Sequence, residues 1–197
     1  MGIKSTWYVR NPRFYKRGFS LIELIVVTGI IVVISGVVLS SNMRFGGAIT
    51  LRNLAYDVAL SIREAQIYGI SVRRFGISDF TSGYGIHFRK SSPTSYILFA
   101  DAIVQNGLYD GSGELVESIS ISRGFEVSDI CVVVGIEPTE TCGISKLDVL
   151  FQRPEPDAQI RYEDGASLNQ RARIILSSPR GDTASVLIEA TGQISVQ

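Results

Sequence analysis

The sequence predicts an α+β protein: one long N-terminal helix packed on an antiparallel β-sheet head. Three observations carry this. Residues 24–43 are twenty residues without a charge, mostly Ile, Val and Leu. Beyond Gly47, apolar side chains recur at helical spacing on a stripe that a domain can bury. From about residue 72 onward, short alternating segments are separated by turns rich in Gly, Pro and Ser.

Taken in order, residues 1–18 form a basic segment with five cations, Lys4, Arg10, Arg13, Lys16 and Arg17, and no acid. The uncharged run that follows is long enough for a helix to cross a hydrocarbon layer of about 30 Å. Glu23 stands at its entrance, and an ionisable group at the edge of lipid is a functional candidate by default. A helix over 19–71 would be about 80 Å long, leaving roughly its first half for lipid. Gly29, Gly36 and Gly46-Gly47 weaken it by about 1 kcal/mol each relative to Ala. No Pro interrupts it, so no proline kink is expected. In the second half, Leu51, Leu54, Ala55, Val58, Ala59, Ile62, Ala65 and Gly69 form one face. Arg52, Asn53, Asp57, Ser61, Arg63 and Glu64 form the other.

Residues 72–197 read as all-β, with candidate strands at 84–89, 95–100, 118–123, 126–134, 146–151, 158–162, 172–177, 184–189 and 193–196. About 125 residues can bury a real core. Tyr56, Tyr68 and Phe75 read as core or helix-packing residues.

The N-terminal stretch admits three readings. A secretory signal peptide has an apolar run of about 7–15 residues and a small-residue cut site beyond it. Here the run is longer, a Glu lies at its edge, and no A-x-A site follows Leu39. A plain transmembrane anchor explains the length and the flanking cations but leaves Gly18 and Glu23 without a reason. The third reading is a resemblance. Arg17-Gly18-Phe19-Ser20-Leu21-Ile22-Glu23 closely resembles the processing site of type IV prepilins and type II secretion pseudopilins.

That resemblance implies a pilin fold and a division into three parts. Residues 1–18 would be a cleaved leader. Residues 19–71 would be the long helix, transmembrane over 24–43 and then amphipathic, and 72–197 the β-rich head. It implies cleavage between Gly18 and Phe19, methylation of the Phe19 amine, and assembly of the mature subunit into a pilus or pseudopilus. The implied partners are other pilin subunits, the prepilin peptidase and methylase, the inner-membrane assembly platform and membrane lipid. The implied place is the bacterial inner membrane, N-terminus cytoplasmic and head outside, and then the fibre.

The residues suit this chemistry. Gly18 has no Cβ to keep a peptidase from the bond, and the leader's cations hold it on the cytoplasmic side. In the family, Glu23 meets the N-terminal amine of a neighbouring subunit. An intramolecular pair is equally open, because residues four apart share a helix face.

The head is similar to the GspH/FimT group of minor subunits. The segments that carry this are Ser61-Ile62-Arg63-Glu64-Ala65-Gln66, the strand over 95–101, and a final hairpin from Arg173-Ile174-Ile175-Leu176 to Val186-Leu187-Ile188, then Thr191-Gly192-Gln193-Ile194-Ser195. Some members bind DNA through a basic Gly-Arg motif near the C-terminus. This chain has Gly192-Gln193-Ile194-Ser195 there, without Arg, which argues against nucleic acid as a partner. Arg171, Arg173 and Arg180 are the remaining case for DNA. Against them, the chain beyond residue 18 carries 14 basic and 19 acidic side chains.

Cys131 and Cys142 lie in the part that would be exported. With no His nearby and no C-x-x-C spacing, a disulfide is favoured over a metal site, with two free thiols as the alternative. The only histidine, His87, reads as a surface or half-buried strand residue. Asp101, Asp110, Ser112 and Glu114 surround a Gly-rich turn. The weak candidate there is a Ca²⁺ site on Asp110, Ser112 and Glu114, against the reading of an acidic, solvated turn. No nucleophile turn, phosphate-cradling loop or zinc spacing is present, so the reading is no enzyme and no cofactor.

Overall fold

The structure, a computed structural model, describes residues 18–71, 73–76, 81–133, 139–163, 165 and 170–197, with the side chains of 40–46 left aside. The leader cations, Lys16 and Arg17 included, lie outside the described residues. The chain divides into two compact units, Met1–Met43 and Arg44–Gln197.

Helix α1 runs Leu21–Ile70. Its first backbone bond is donated by Leu24 to the Ser20 carbonyl at 3.1 Å, which makes Ser20 the N-cap and Glu23 the third helical residue. An acid in the first turn suits the positive end of the helix dipole. Gly29, Gly36 and Gly47 are all carried within the helix. Within the first unit, Leu21–Leu39 is long and apolar enough to cross a membrane, with none of it buried. Glu23, Thr28 and Ser35 are its polar residues, and the Thr28 hydroxyl donates to the carbonyls of Leu24 and Ile25 at 2.9 and 3.0 Å.

The second unit holds the rest of α1 and two five-stranded antiparallel sheets. The strands are β1 Gly83–Arg89, β2 Ser95–Asp101, β3 Leu115–Ser120, β4 Glu126–Val133, β5 Glu140–Cys142, β6 Lys146–Phe151, β7 Ala158–Tyr162, β8 Arg171–Ser177, β9 Thr183–Glu189 and β10 Ile194–Val196. The first sheet has the order β3-β2-β1-β6-β7 and the second β10-β9-β8-β4-β5. Alternation gives each sheet an inner face. Ile86, Phe88, Leu147, Val149, Phe151 and Ile160 line one, and Ile130, Val132, Ala172, Ile174, Leu176, Val186 and Ile188 the other.

Leu51, Ala55, Val58, Ile62 and Ala65 of α1 join the same core, all essentially fully buried. Small residues let the helix come close. At Gly69 a Cβ would sit 2.2 Å from the Phe151 carbonyl oxygen. Polar bonds fix the position. Gln66 Nε2 donates to the carbonyls of Pro156 (2.9 Å) and Gly192 (3.2 Å), and Ser61 Oγ lies 3.0 Å from the Tyr96 hydroxyl.

Two strands differ from the expected pattern. The expected strand at 118–123 is β3, three residues earlier. Ile121 leaves the ladder to donate to the Thr94 carbonyl, and Arg123 and Gly124 take left-handed φ of 65° and 75°. That turn carries the chain from the first sheet to the second. Strand β5 was not anticipated. It has three exposed residues and owes its place to pairing with β4, where Cys142 faces Cys131.

The close approach at Gly69 predicts that Gly69→Ala destabilises by about 1–3 kcal/mol. By contrast, a Cβ at Gly47 meets nothing within 4 Å. Gly47→Ala should therefore be neutral or stabilising by up to about 1 kcal/mol. Thermal unfolding of the full chain in detergent, followed by near-UV circular dichroism, measures both. Equal effects would contradict this packing.

Candidate functional site

The candidate processing segment is built from backbone exposure and charge. Gly18, Phe19 and Ser20 precede α1, and all three are exposed. Phe19 is 79% exposed, and nothing lies within 4 Å of where a Gly18 Cβ would be. The Gly18–Phe19 bond thus lies outside the helix and is exposed among the described residues. Glu23, also exposed, stands one turn from Phe19. The first unit brings together Gly18, Phe19 and Glu23 at the head of the apolar stretch.

Cys131 and Cys142 form a disulfide, with Cα atoms 4.0 Å apart. It staples the edge strand β5 to β4. Closing a loop of this length contributes about 3 kcal/mol in the chain-entropy picture. Residues 134–138 of that loop lie outside the described residues. Beside the bridge, Asp129 accepts from Lys90 Nζ (3.2 Å), Ile130 N (3.0 Å) and Gly143 N (3.1 Å). Burial pushes its carboxyl up, but these three donors more than offset that and hold it below its ordinary value. Among the described residues, only Asp129, Cys131 and Cys142 place three ligand atoms within 4.8 Å of one another. Two of those atoms are already bonded to each other.

The acids near residue 110 behave differently from the exposed turn expected of them. Glu114 is fully buried. Its two oxygens accept from Ile103 N at 3.1 Å and Asp110 N at 2.9 Å. Asp101, also buried, accepts from Asn106 N at 3.2 Å and Gly107 N at 3.0 Å. Asp110 Oδ2 accepts from Asn106 Nδ2 at 2.9 Å, and Ser112 is exposed. The carboxylates of Asp101 and Glu114 therefore organise the backbone of residues 102–114, which folds over the outer face of the first sheet.

That covering loop also corrects the reading of His87. The side chain is buried, not half-exposed. Its Nδ1 lies 2.7 Å from Asp148 Oδ1, and the Tyr109 ring covers it at 5.1 Å between centroids. Tyr56 is likewise corrected: it is 49% exposed rather than packed. Tyr68 does pack, edge-on to Tyr84 and under the Arg73 guanidinium.

Of the three arginines, Arg171 and Arg173 share a face of β8, as alternation requires. Each is ion-paired at 2.8 Å, Arg171 to Glu189 and Arg173 to Glu140. The Gln66–Gly192 bond joins two of the segments that carry the GspH/FimT resemblance.

Sequence reasoning missed one surface feature. Ile49, Tyr56, Leu60 and Ile67 are 59, 49, 65 and 57% exposed on the side of α1 away from the head core. Their spacing of seven, four and seven residues is the signal that could have found them. At about 100° per residue they fall within about 20° of one line.

Comparison with known proteins agrees with the N-terminal geometry. A model of the prokaryotic N-terminal methylation motif matches residues 13–39. The motif supports a type IV pilin-like chain, with pilin subunits and a prepilin peptidase as partners. With the apolar helix, it fits a membrane-anchored pilin. No curated protein and no solved structure matches the chain.

Burial pushes the Asp101 carboxyl from its ordinary value near 3.8 up to about 6, with the Gly107 N–H pulling it back and Glu114 adding to the rise. The folded state then holds this proton more tightly than the unfolded chain does. The group's contribution is full below about pH 4 and is lost as pH rises through about 6. Asp101→Asn cannot titrate, so the melting-temperature gap between wild type and variant should narrow between acid and neutral pH. A gap that is the same at both ends would contradict the assignment.

Proposed function

We propose that the chain is a minor subunit of a type IV pilus or type II secretion pseudopilus, most like the GspH/FimT group. Its leader is removed between Gly18 and Phe19, and the Phe19 amine is methylated. The helix anchors it in the inner membrane with the head outside until assembly. There Glu23 neutralises an N-terminal amine, which spares both an unpaired charge in lipid. The observation that carries this reading is the methylation motif over residues 13–39, with an open Gly18–Phe19 bond at the start of an uncharged helix.

The exposed stripe on α1 supports assembly through the helix. Arg52 and Arg63 flank it on one margin, Asp57 and Glu64 on the other. Neighbouring copies related by a rotation would set the acidic margin of one against the basic margin of the next. Capture of DNA is the alternative role. The ion pairs of Arg171 and Arg173 weigh against it, because paired cations have little left to offer phosphate.

Two variants test the assembly reading. Glu23→Val should stay in the membrane yet enter fibres poorly. Leu60→Glu changes an exposed side chain, so head stability should move by no more than about 0.5 kcal/mol. It should nonetheless be depleted from sheared fibres. Normal amounts of both variants in those fibres would remove the helix from assembly.

A further inference from the structure

On the outer face of the first sheet, beside residues 102–114, lies a cavity of about 220 Å³. The register builds its floor and rim. His87 of β1 faces Asp148 of β6, and the next pair along the same face is Arg89 with Lys146. Asp110 and Glu163 also line it, and Glu163 sits beside Lys146, whose carbonyl accepts from its N–H at 3.1 Å.

Three features of this cavity bear on what it can hold. First, the Asp148 carboxylate holds His87 Nδ1 at 2.7 Å, and the other ring nitrogen, Nε2, is buried with no partner among the described residues. A buried polar atom without a partner costs about 1–3 kcal/mol, so its persistence calls for a reason. Second, exposed Arg89, Lys146 and Asp110 and half-buried Glu163 line one space, yet among the described residues no ion pair joins either cation to either acid. Third, Glu163 holds a left-handed backbone, φ 52°, uncommon for a residue other than Gly, Asn or Asp. It is fixed there by Ser145 N, which donates to its Oε1 at 2.6 Å.

We propose that this cavity binds a small zwitterion, of which a free α-amino acid is the simplest kind. Its carboxylate would lie on Arg89 and Lys146. Its ammonium would lie near Asp110 and Glu163, with the neutral His87 ring accepting from it at Nε2. A ligand of one sign satisfies only half of these groups, and an anion must also compete with three carboxylates. A molecule bearing both signs uses all of them. The His87–Asp148 pair acts as a positioning device, because the carboxylate fixes which ring nitrogen is left to accept. No covalent step is involved.

The chain has one histidine, so its imidazole resonances identify themselves. The full-length protein in detergent micelles is titrated with glycine at neutral pH while the His87 ring nitrogens are followed by NMR. A saturable shift of the Nε2 resonance is expected. Arg89→Gln with Lys146→Gln, and separately Asp110→Asn with Glu163→Gln, should each weaken binding by at least about tenfold. Their near-UV circular dichroism and melting temperature without glycine should match the wild type, which reports an intact fold. Acetate or methylammonium alone should saturate the shift far less readily than glycine. Overturning results are the absence of a saturable shift, wild-type affinity in either double variant, and acetate binding as tightly as glycine.

Discussion

The head depends on one contact: the second half of α1 packing into the core shared by two antiparallel sheets. That contact demands a helix face with little bulk. Ala55, Ala65 and Gly69 supply it, between the larger Leu51, Val58 and Ile62. Each sheet alone would leave an apolar face in water, and at about 25 cal/mol per Å² that exposure is costly. The helix closes the gap, and Gln66 ties it to the loops at Pro156 and Gly192, where backbone carbonyls would otherwise need water.

A helix committed to the head on one face retains an apolar stripe on the opposite one. In a monomeric soluble domain such a stripe has no use. In the proposed assembly role, one face would fold the subunit and the other would be left for neighbours. The exposed side chains of Ile49, Tyr56, Leu60 and Ile67 and the exposed apolar run Leu21–Leu39 lie in different units, but one helix carries both. Under the proposed assembly role, folding and assembly would draw on separate faces of a single element.

Much of the fold was legible in the residues. Strands β6 and β7 fall where alternation and flanking turns put them, because both lie in a sheet whose inner face is strictly apolar. The N-terminal motif was legible because it is set by position, Gly18 then Phe19 with Glu23 one turn on, and the methylation-motif model covers residues 13–39. The outer face of the first sheet was not. Alternation says only that His87 and Asp148 point away from the core, and away from the core was taken to mean solvent. Residues 102–114 cover that face, and they do so through buried carboxylates, Asp101 and Glu114, that a sequence reading assigns to water. Tyr56 was misjudged for a simpler reason, its place near the helix end having outweighed its angle around the axis. Strand β5 has no pattern of its own, since its partner strand and the disulfide define it.

The central claim is that the chain is made to be cut at its N-terminus and then built into a fibre. Mass spectrometry of the protein extracted from membranes of cells that assemble the fibre tests this most directly. The account predicts an N-terminal peptide that begins at Phe19 and carries a methyl group on its amine. An intact Met1 leader on the assembled protein would contradict it.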